Sequence, residues 1–242
     1  MIANAASGEN MFYTDKVSHK TKVKPKLINS LVNPACHLQI TATNKSSPHR
    51  NAIESFIKQG YCEVYGAKIT VNTPYLISLS KGNLKSALGV RSATSSLFIE
   101  QYLHTGIESK LAELGKIFER HQIAEIAHLY SNAKTFTLPL LLVTATSLKL
   151  KGFEVMVFTG TQHIIRLIEK TGIKVRKLAK ANPSLLSTST NNWGRYYDSD
   201  PVVAYIQLSD VLEVIEATPK LAYMFSELMP QVANVVLELA DI

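Results

Sequence analysis

The stretch EIAHLYSNAKTFTLPLLLVTATSLKLKG, residues 125–152, constrains the fold more than any other. Residues 123–130, IAEIAHLY, alternate as a strand does. Residues from about 136 to 150 form a strongly apolar helix that stops at Gly152. Pro139 is tolerable there because it falls in the first turn. Thr135 or Thr137 is a candidate N-cap. Between strand and helix lies a short polar break, SNAKTFT. It has the position of a phosphate-binding turn, yet it holds no glycine.

The rest of the chain is consistent with a sheet that such a unit joins. HLQITAT (37–43) alternates like a strand, and Ser46 or Ser47 before Pro48 marks a helix start. RNAIESFIKQGY places Ile53, Phe56 and Ile57 on one helical face. YLISLSKGNLKSALGV has two strand-like runs around a Gly-containing turn, a hairpin signal. SLFIEQYL (96–103) reads as another strand, and residues 106–120 have helical spacing. EVMVFTG, IKVRKL and PVVAYIQL read as strands, with a helix over TQHIIRLIEKTG. The pattern predicts an α+β or α/β fold with a mixed sheet. It divides into a polar, basic N-terminal arm (1–30), one main domain (31–210) and an amphipathic helical extension (211–242). Pro230 is expected to kink or divide that extension.

The 242 residues suffice for one substantial core. A net charge of +7 favours an acidic partner such as a nucleic acid, an anionic membrane or an acidic protein. Nucleic acid is disfavoured, because the single WGRYYD run lacks the repeated aromatic–basic interleaving of such binders. Two cysteines, Cys36 and Cys62, make no disulfide framework, which points to a reducing compartment. The N-terminal stretch has no apolar core of a secretory leader, so a cytoplasmic location is expected. HExxH, CxxC, P-loop and GxSxG motifs are absent, and strand alternation scatters His121, Glu125 and His128, so no metal site is expected.

Several blocks carry a resemblance to a known family. FIKQGYCEVYGAKI, ALGVRSATSSLFIEQYLHTGIESKL, GFEVMVFTGTQHIIRLIEKTGIKV and WGRYYDSDPVV resemble the thermostable hemolysin family, over most of residues 50–206. The order of elements resembles the GNAT acyltransferase superfamily. NAIESFIKQGY, the hairpin ending at Arg91 and Thr94, and AEIAHLY also resemble acyl-homoserine lactone synthases more remotely. In those synthases an Arg stands where this chain has His128, and acidic residues precede the hairpin where this chain has KITVNTPYL. Synthesis of a homoserine lactone is therefore not expected. The hemolysin family more usually has Gly-Asn where this chain has Ala127 and His128.

The resemblance implies a mixed, mostly antiparallel sheet in a three-layer arrangement, with helices on both faces and a splayed central strand. It also implies transfer of an acyl group from an acyl carrier protein or acyl-CoA thioester to an amine, with no tightly bound cofactor. Backbone N–H groups around Ala127 and Leu129 would hold the pantetheine and thioester. Ser131, Lys134, Thr135 and Thr137 would meet a single phosphate, a phosphopantetheine rather than a pyrophosphate, where glycine is missing. Glu125 and His128 are the candidates to position or deprotonate the amine. Strict alternation puts them on opposite faces, so they share a cleft only if a bulge intervenes. Arg91 is expected to anchor Glu125 or Glu100. Phe56, Tyr61, Trp193 and Tyr196 would wall the substrate cleft. Lys149, Lys151, Lys170, Lys174, Arg176, Lys177 and Lys180 could steer an acidic carrier. The rival reading is a membrane-lytic toxin, exported by another route, whose tail inserts into lipid. The tail's polar side, however, is acidic (Glu227, Glu238, Asp241), which disfavours anionic membranes.

Overall fold

The computed structural model describes residues 38–187 and 190–242. The basic arm expected over 1–30, and Cys36, lie outside the described residues. Seven strands, β1 (Gln39–Thr43), β2 (Tyr75–Lys81), β3 (Asn83–Ser92), β4 (Ile123–Ser131), β5 (Val155–Gly160), β6 (Arg176–Lys180) and β7 (Val202–Gln207), form one sheet in the order β1-β2-β3-β4-β5-β7-β6. Neighbours are antiparallel except β4 and β5, which run parallel. The helices are α1 (Arg50–Tyr65), α2 (Ile107–Ala112), α3 (Thr137–Leu150), α4 (Gln162–Glu169), α5 (Leu208–Ala217), α6 (Pro219–Ser226) and α7 (Met229–Glu238). This is an α+β architecture with the mixed sheet that the sequence pattern predicts, mostly antiparallel as the family resemblance implies.

Side-chain alternation sorts the strands into two faces. Ile77, Leu88, Ala124, Ile126, Met156 and Phe158 face the helices α3 to α7. On the opposite face, Leu76 and Ala87 meet Ile53 and Ile57 of α1, while Ile123, Val157 and Tyr205 meet Leu97, Ile107 and Leu111. Helix α3 is buried on almost every side, 11 of its 14 residues, because the sheet lies beneath it and α5 and α7 lie against it. A helix apolar all round can be stable in water only in such a position.

The C-terminal segment divides where Pro230 predicts. Helix α6 ends at Ser226, and Pro230 occupies the first turn of α7, where its missing N–H is no loss. Leu221, Phe225, Leu228, Val232, Val235 and Leu239 are all buried in the main core. Helix α7 also closes the edge of the sheet. The Ile40 N–H donates to Gln231 Oε1 (3.0 Å) and the Ala42 N–H to Glu238 Oε2 (2.5 Å). Two outward-facing donors of the edge strand are thereby satisfied, which blunts a template for unwanted pairing. No helix among the described residues is long and apolar enough to cross a membrane.

Two sequence expectations change. Residues 96–103 form a 3₁₀ turn, Phe98–Tyr102, and not a strand. Carboxylates take the N–H groups that a strand would offer to a neighbour: Glu125 accepts from Phe98 and Ile99, and Glu100 accepts from Leu97 and Ile107. The helix expected over 106–120 stops at Ala112, because Gly115 turns the chain with a left-handed φ of 71°.

Candidate active site

The site follows from two irregularities in β4. The first is a bulge. Gly89 pairs with Ala127, but Ala87 pairs with Tyr130, so β4 carries one extra residue against β3. His128 absorbs it with φ of 56°, a left-handed conformation in which histidine and asparagine are over-represented among non-glycine residues. The bulge reverses the alternation. Before it, Ala124 and Ile126 face the α3 core; after it, Leu129 faces that core and Tyr130 packs with α1. A one-residue shift of this kind moves side chains to the other face, which puts His128 on the side of Glu125. Both line one cavity of about 190 Å3.

The second irregularity is a parting of strands. Pairing of β4 with β5 ends at Ile126 and Phe158, while β5 continues along β7 to Gly160 and Val202. Beyond Ile126, β4 therefore has a neighbour on its β3 side alone. The Ala93 N–H donates to the Ile123 carbonyl (2.8 Å), and the Asn132 N–H to the Lys85 carbonyl (2.9 Å). Counting in twos from each contact turns Ala127 toward β3 and leaves the backbone of Leu129 and Ser131 facing the gap.

Three cavities meet along this gap. The 190 Å3 cavity lies on the α1 face. A narrow apolar slot of about 50 Å3 lies in the gap and shares Tyr61, Ile126, Ala127, His128, Thr159 and Tyr196 with it. Leu141, Met156, Phe158, Ile164 and Ile168 give the slot its apolar wall. A wider mouth of about 360 Å3 opens beyond Leu129 and Ser131, lined also by Lys134, Thr137 and His163.

The electrostatics of the first cavity centre on Glu125, which is 1% exposed. It accepts from the Phe98 N–H (3.2 Å) and the Ile99 N–H (3.0 Å), and its Oε2 lies 3.7 Å from Arg91 Nε. Burial raises its pKa, against the lowering effects of Arg91 and the two N–H groups. Burial, reinforced by the Arg91 charge, holds the His128 imidazole at about 4, so it is neutral at pH 7. The His128 imidazole makes no hydrogen bond to another described residue. Arg91 donates to Asn72 Oδ1 (2.9 Å) and to the Ser96 carbonyl (3.3 Å). The Tyr102 and Tyr197 hydroxyls are hydrogen-bonded at 2.6 Å, and burial raises the Tyr102 pKa.

The aromatic wall is assembled from distant segments. Trp193 and Tyr196 lie 5.5 Å apart, and Trp193 and Phe98 5.7 Å apart. Gly194 makes this possible. A Cβ there would sit 2.1 Å from the Tyr65 carbonyl, to which the next residue, Arg195, donates its N–H (2.8 Å). The WGRYY run is thus seated on the end of α1, with Tyr196 turned inward.

Of the residues singled out from sequence, Arg91, Glu125, Ala127, His128, Tyr61, Trp193 and Tyr196 line the first cavity. Leu129, Ser131, Lys134 and Thr137 line the mouth, where the Ser131 hydroxyl is hydrogen-bonded to that of Ser86 (2.5 Å). Arg91 stands by Glu125; Glu100 lies outside the cavity, held by Arg120 (2.8 Å), and its pKa falls because that bond and two N–H donors outweigh burial. Phe56 packs on Tyr130 at 5.0 Å and lines none of the three cavities. Thr135 is exposed, and neither Thr135 nor Thr137 caps α3, whose N-cap is Phe136 with no side-chain bond. The helix begins instead by continuing a 3₁₀ turn, Lys134–Phe136. Of the proposed steering cations, Lys149, Arg176 and Lys180 lie near Glu154, Asp210 and Asp200, which offset part of their charge. Sequence patterning did not pick out Lys68, Asn72, Phe98, Tyr102 or Thr159. Phe98 and Tyr102 were hidden by the strand-like pattern of their segment, and the lone polar residues carried no spacing signal.

A mixed sheet whose central parallel pair parts over a lined gap, with helices on both faces, defines a GNAT-like fold. Solved structures of similar fold include TofI in a ternary complex with an inhibitor and MTA, at 13% identity over 76% of this chain and 99% of that one, TM-score 0.51. Another is FeeM, an N-acyl amino acid synthase from uncultured soil microbes, at 11% identity over 77% of this chain and 99% of that one, TM-score 0.50. At these identities the likeness is one of fold. No curated protein matches the sequence. The profile of the family described as thermostable hemolysin matches residues 43–212, and the protein belongs to that family.

Proposed function

We propose that the protein is an N-acyltransferase, taking a fatty acyl group from the thioester of a pantetheine arm, on a carrier protein or CoA, to an amine. The observation that carries this reading is the gap beside Ala127, which joins a cavity holding Arg91 and Glu125 on one face to an apolar slot and to a wider mouth that holds Lys134. An arm entering past Lys134 and Thr137 would lay its amides along the unpaired edge of β4. Its thioester would reach the level of the bulge, and the acyl chain would follow the slot between Leu141 and Met156.

The reaction then needs three things at the bulge. The amine nitrogen attacks the thioester carbon, the C–N bond forms, and the C–S bond breaks. Gap-facing N–H groups near Leu129 would stabilise the oxyanion. The proton lost by the amine passes to Glu125, with the neutral His128 imidazole positioning the nitrogen, and the leaving sulfur takes up a proton as thiol. A buried carboxylate of raised pKa is a stronger base than an exposed one. An N-acyl amine is an amphiphile, so lysis of red cells by cells making this protein would follow from its product. Leu221, Phe225, Val232 and Val235 of α6 and α7 are packed in the core while Tyr223, Met229 and Leu237 are exposed, and the loss of that main apolar face disfavours a directly inserting tail.

The experiment is to incubate the protein with acyl carrier and CoA thioesters of several chain lengths and a set of amines, and to follow thiol release. Amine-dependent release is expected, falling at least tenfold in Glu125→Gln with the fold retained. Release at the uncatalysed rate with every donor, together with lysis by lipid-free protein, overturns the reading.

A further inference from the structure

We infer that the acceptor is an α-amino acid with an apolar or aromatic side chain, bound as a zwitterion with its carboxylate on Arg91 and its nitrogen toward Glu125 and His128. The inference rests on the transferase reading and names the substrate class of the same site. Arg91 and Glu125 line the cavity side by side, 3.7 Å apart. A cation and an anion at that separation match a molecule whose ammonium and carboxylate are two bonds apart. An amine without a carboxylate would leave the Arg91 side unanswered.

The guanidinium has capacity for such a ligand. It carries five N–H groups, and its hydrogen bonds to described residues are the two to Asn72 and Ser96, the second long at 3.3 Å. Nε is buried and has no hydrogen-bond partner, the Glu125 oxygen lying too far, so the N–H groups left for a ligand are those of the two terminal nitrogens. Lys68, exposed at the rim, adds a second cation. Two cations and one carboxylate therefore line the cavity beside a neutral imidazole. That surplus of positive charge suits an anionic group on the acceptor, and a planar guanidinium suits a carboxylate. The remaining wall, Phe98, Tyr102, Trp193 and Tyr196, offers ring faces and apolar edges to the acceptor's side chain.

Trp193 is the chain's one tryptophan, so its fluorescence reports occupancy without turnover. The probes are L-phenylalanine and L-leucine, each against its carboxylate-free amine, phenethylamine and isopentylamine. Saturable quenching by the amino acids is expected, with the amines at least tenfold weaker, a factor that corresponds to about 1.4 kcal/mol. Arg91→Gln should abolish that preference and Arg91→Lys should keep part of it, with folding checked by circular dichroism. Equal affinity for amino acid and amine, no saturable binding of either amino acid, or an intact preference in a folded Arg91→Gln overturns the inference. The wild-type comparison stands even if the variants do not fold. Thiol release separates the two readings. Equal turnover with both kinds of acceptor leaves the transferase standing without this acceptor class. Binding of amino acids with no release from any thioester leaves the site and removes the transfer.

Discussion

Strand β4 contains two regions of different character. Residues 123–126 are buried and paired on both edges; residues 127–131 are half-buried and paired on one. The first half is held by apolar contacts on both faces of the sheet. The second half gives up a neighbour and one residue of register, and all three cavities gather there. A sheet can thus hold scaffold and reactive groups on one strand: the paired half fixes Glu125, and the open half departs from it at the bulge that brings His128 to the same side. The bulge sets which side chains face the cleft, and the parting of strands admits a ligand.

The largest effect should come from filling the gap. Ala127 lines both the first cavity and the slot, so Ala127→Phe should lower thiol release at least 100-fold. Urea unfolding should show a cost of about 1–3 kcal/mol from overpacking, with the protein still folded in water. Retained turnover in this variant would erase the distinction between the halves as far as the site is concerned. Next in size is a contrast in stability. Ile123→Ala, in the paired half and fully buried, should cost about 2–5 kcal/mol in urea titrations. Leu129→Ala, in the open half, should cost less than half as much. Equal costs would mean that the open half is packed as firmly as the paired half.

The smallest effect is a pH dependence confined to the bulge. The His128 pKa is about 4 in the folded protein and near 6.5 in the unfolded chain. Above pH 6.5 both states hold it neutral. As pH falls from 6.5 to 4, the unfolded state takes up a proton that the folded state refuses, so stability declines and then levels off. Up to ~3 kcal/mol is at stake, less where cleft water screens the charge. Glu125 acts in the opposite sense, since a raised folded pKa favours the native state on acidification. The comparison of wild type with His128→Asn isolates the histidine, because asparagine also accepts a left-handed φ. An identical pH profile in the two proteins would show that the imidazole is not desolvated.

Much of the fold was legible because its signals are local. The alternation of β4, the apolar length of α3 and the hairpin around Gly82 each arise from residues close in sequence. Segment 96–103 departs from its strand-like pattern for a non-local reason: the Glu125 carboxylate that takes the Phe98 and Ile99 N–H groups stands on another strand, remote in the chain. The same limit applied to the site. Glu125 and His128 stood out as polar residues in an apolar strand, and the need for a bulge between them followed from alternation alone. Lys68, Asn72, Phe98 and Tyr102 come from separate segments, and only the closed fold gathers them around Arg91.

The order of elements, the class of sheet and the demand that α3 be buried were written in the residue pattern, since periodicity and apolar length depend on near neighbours along the chain. The bulge at His128, the end of pairing after Ile126 and the meeting of Arg91 with an aromatic wall were decided by tertiary structure. Each depends on which strands and loops compete for the same hydrogen bonds and the same space, and that competition exists only once remote segments are packed together.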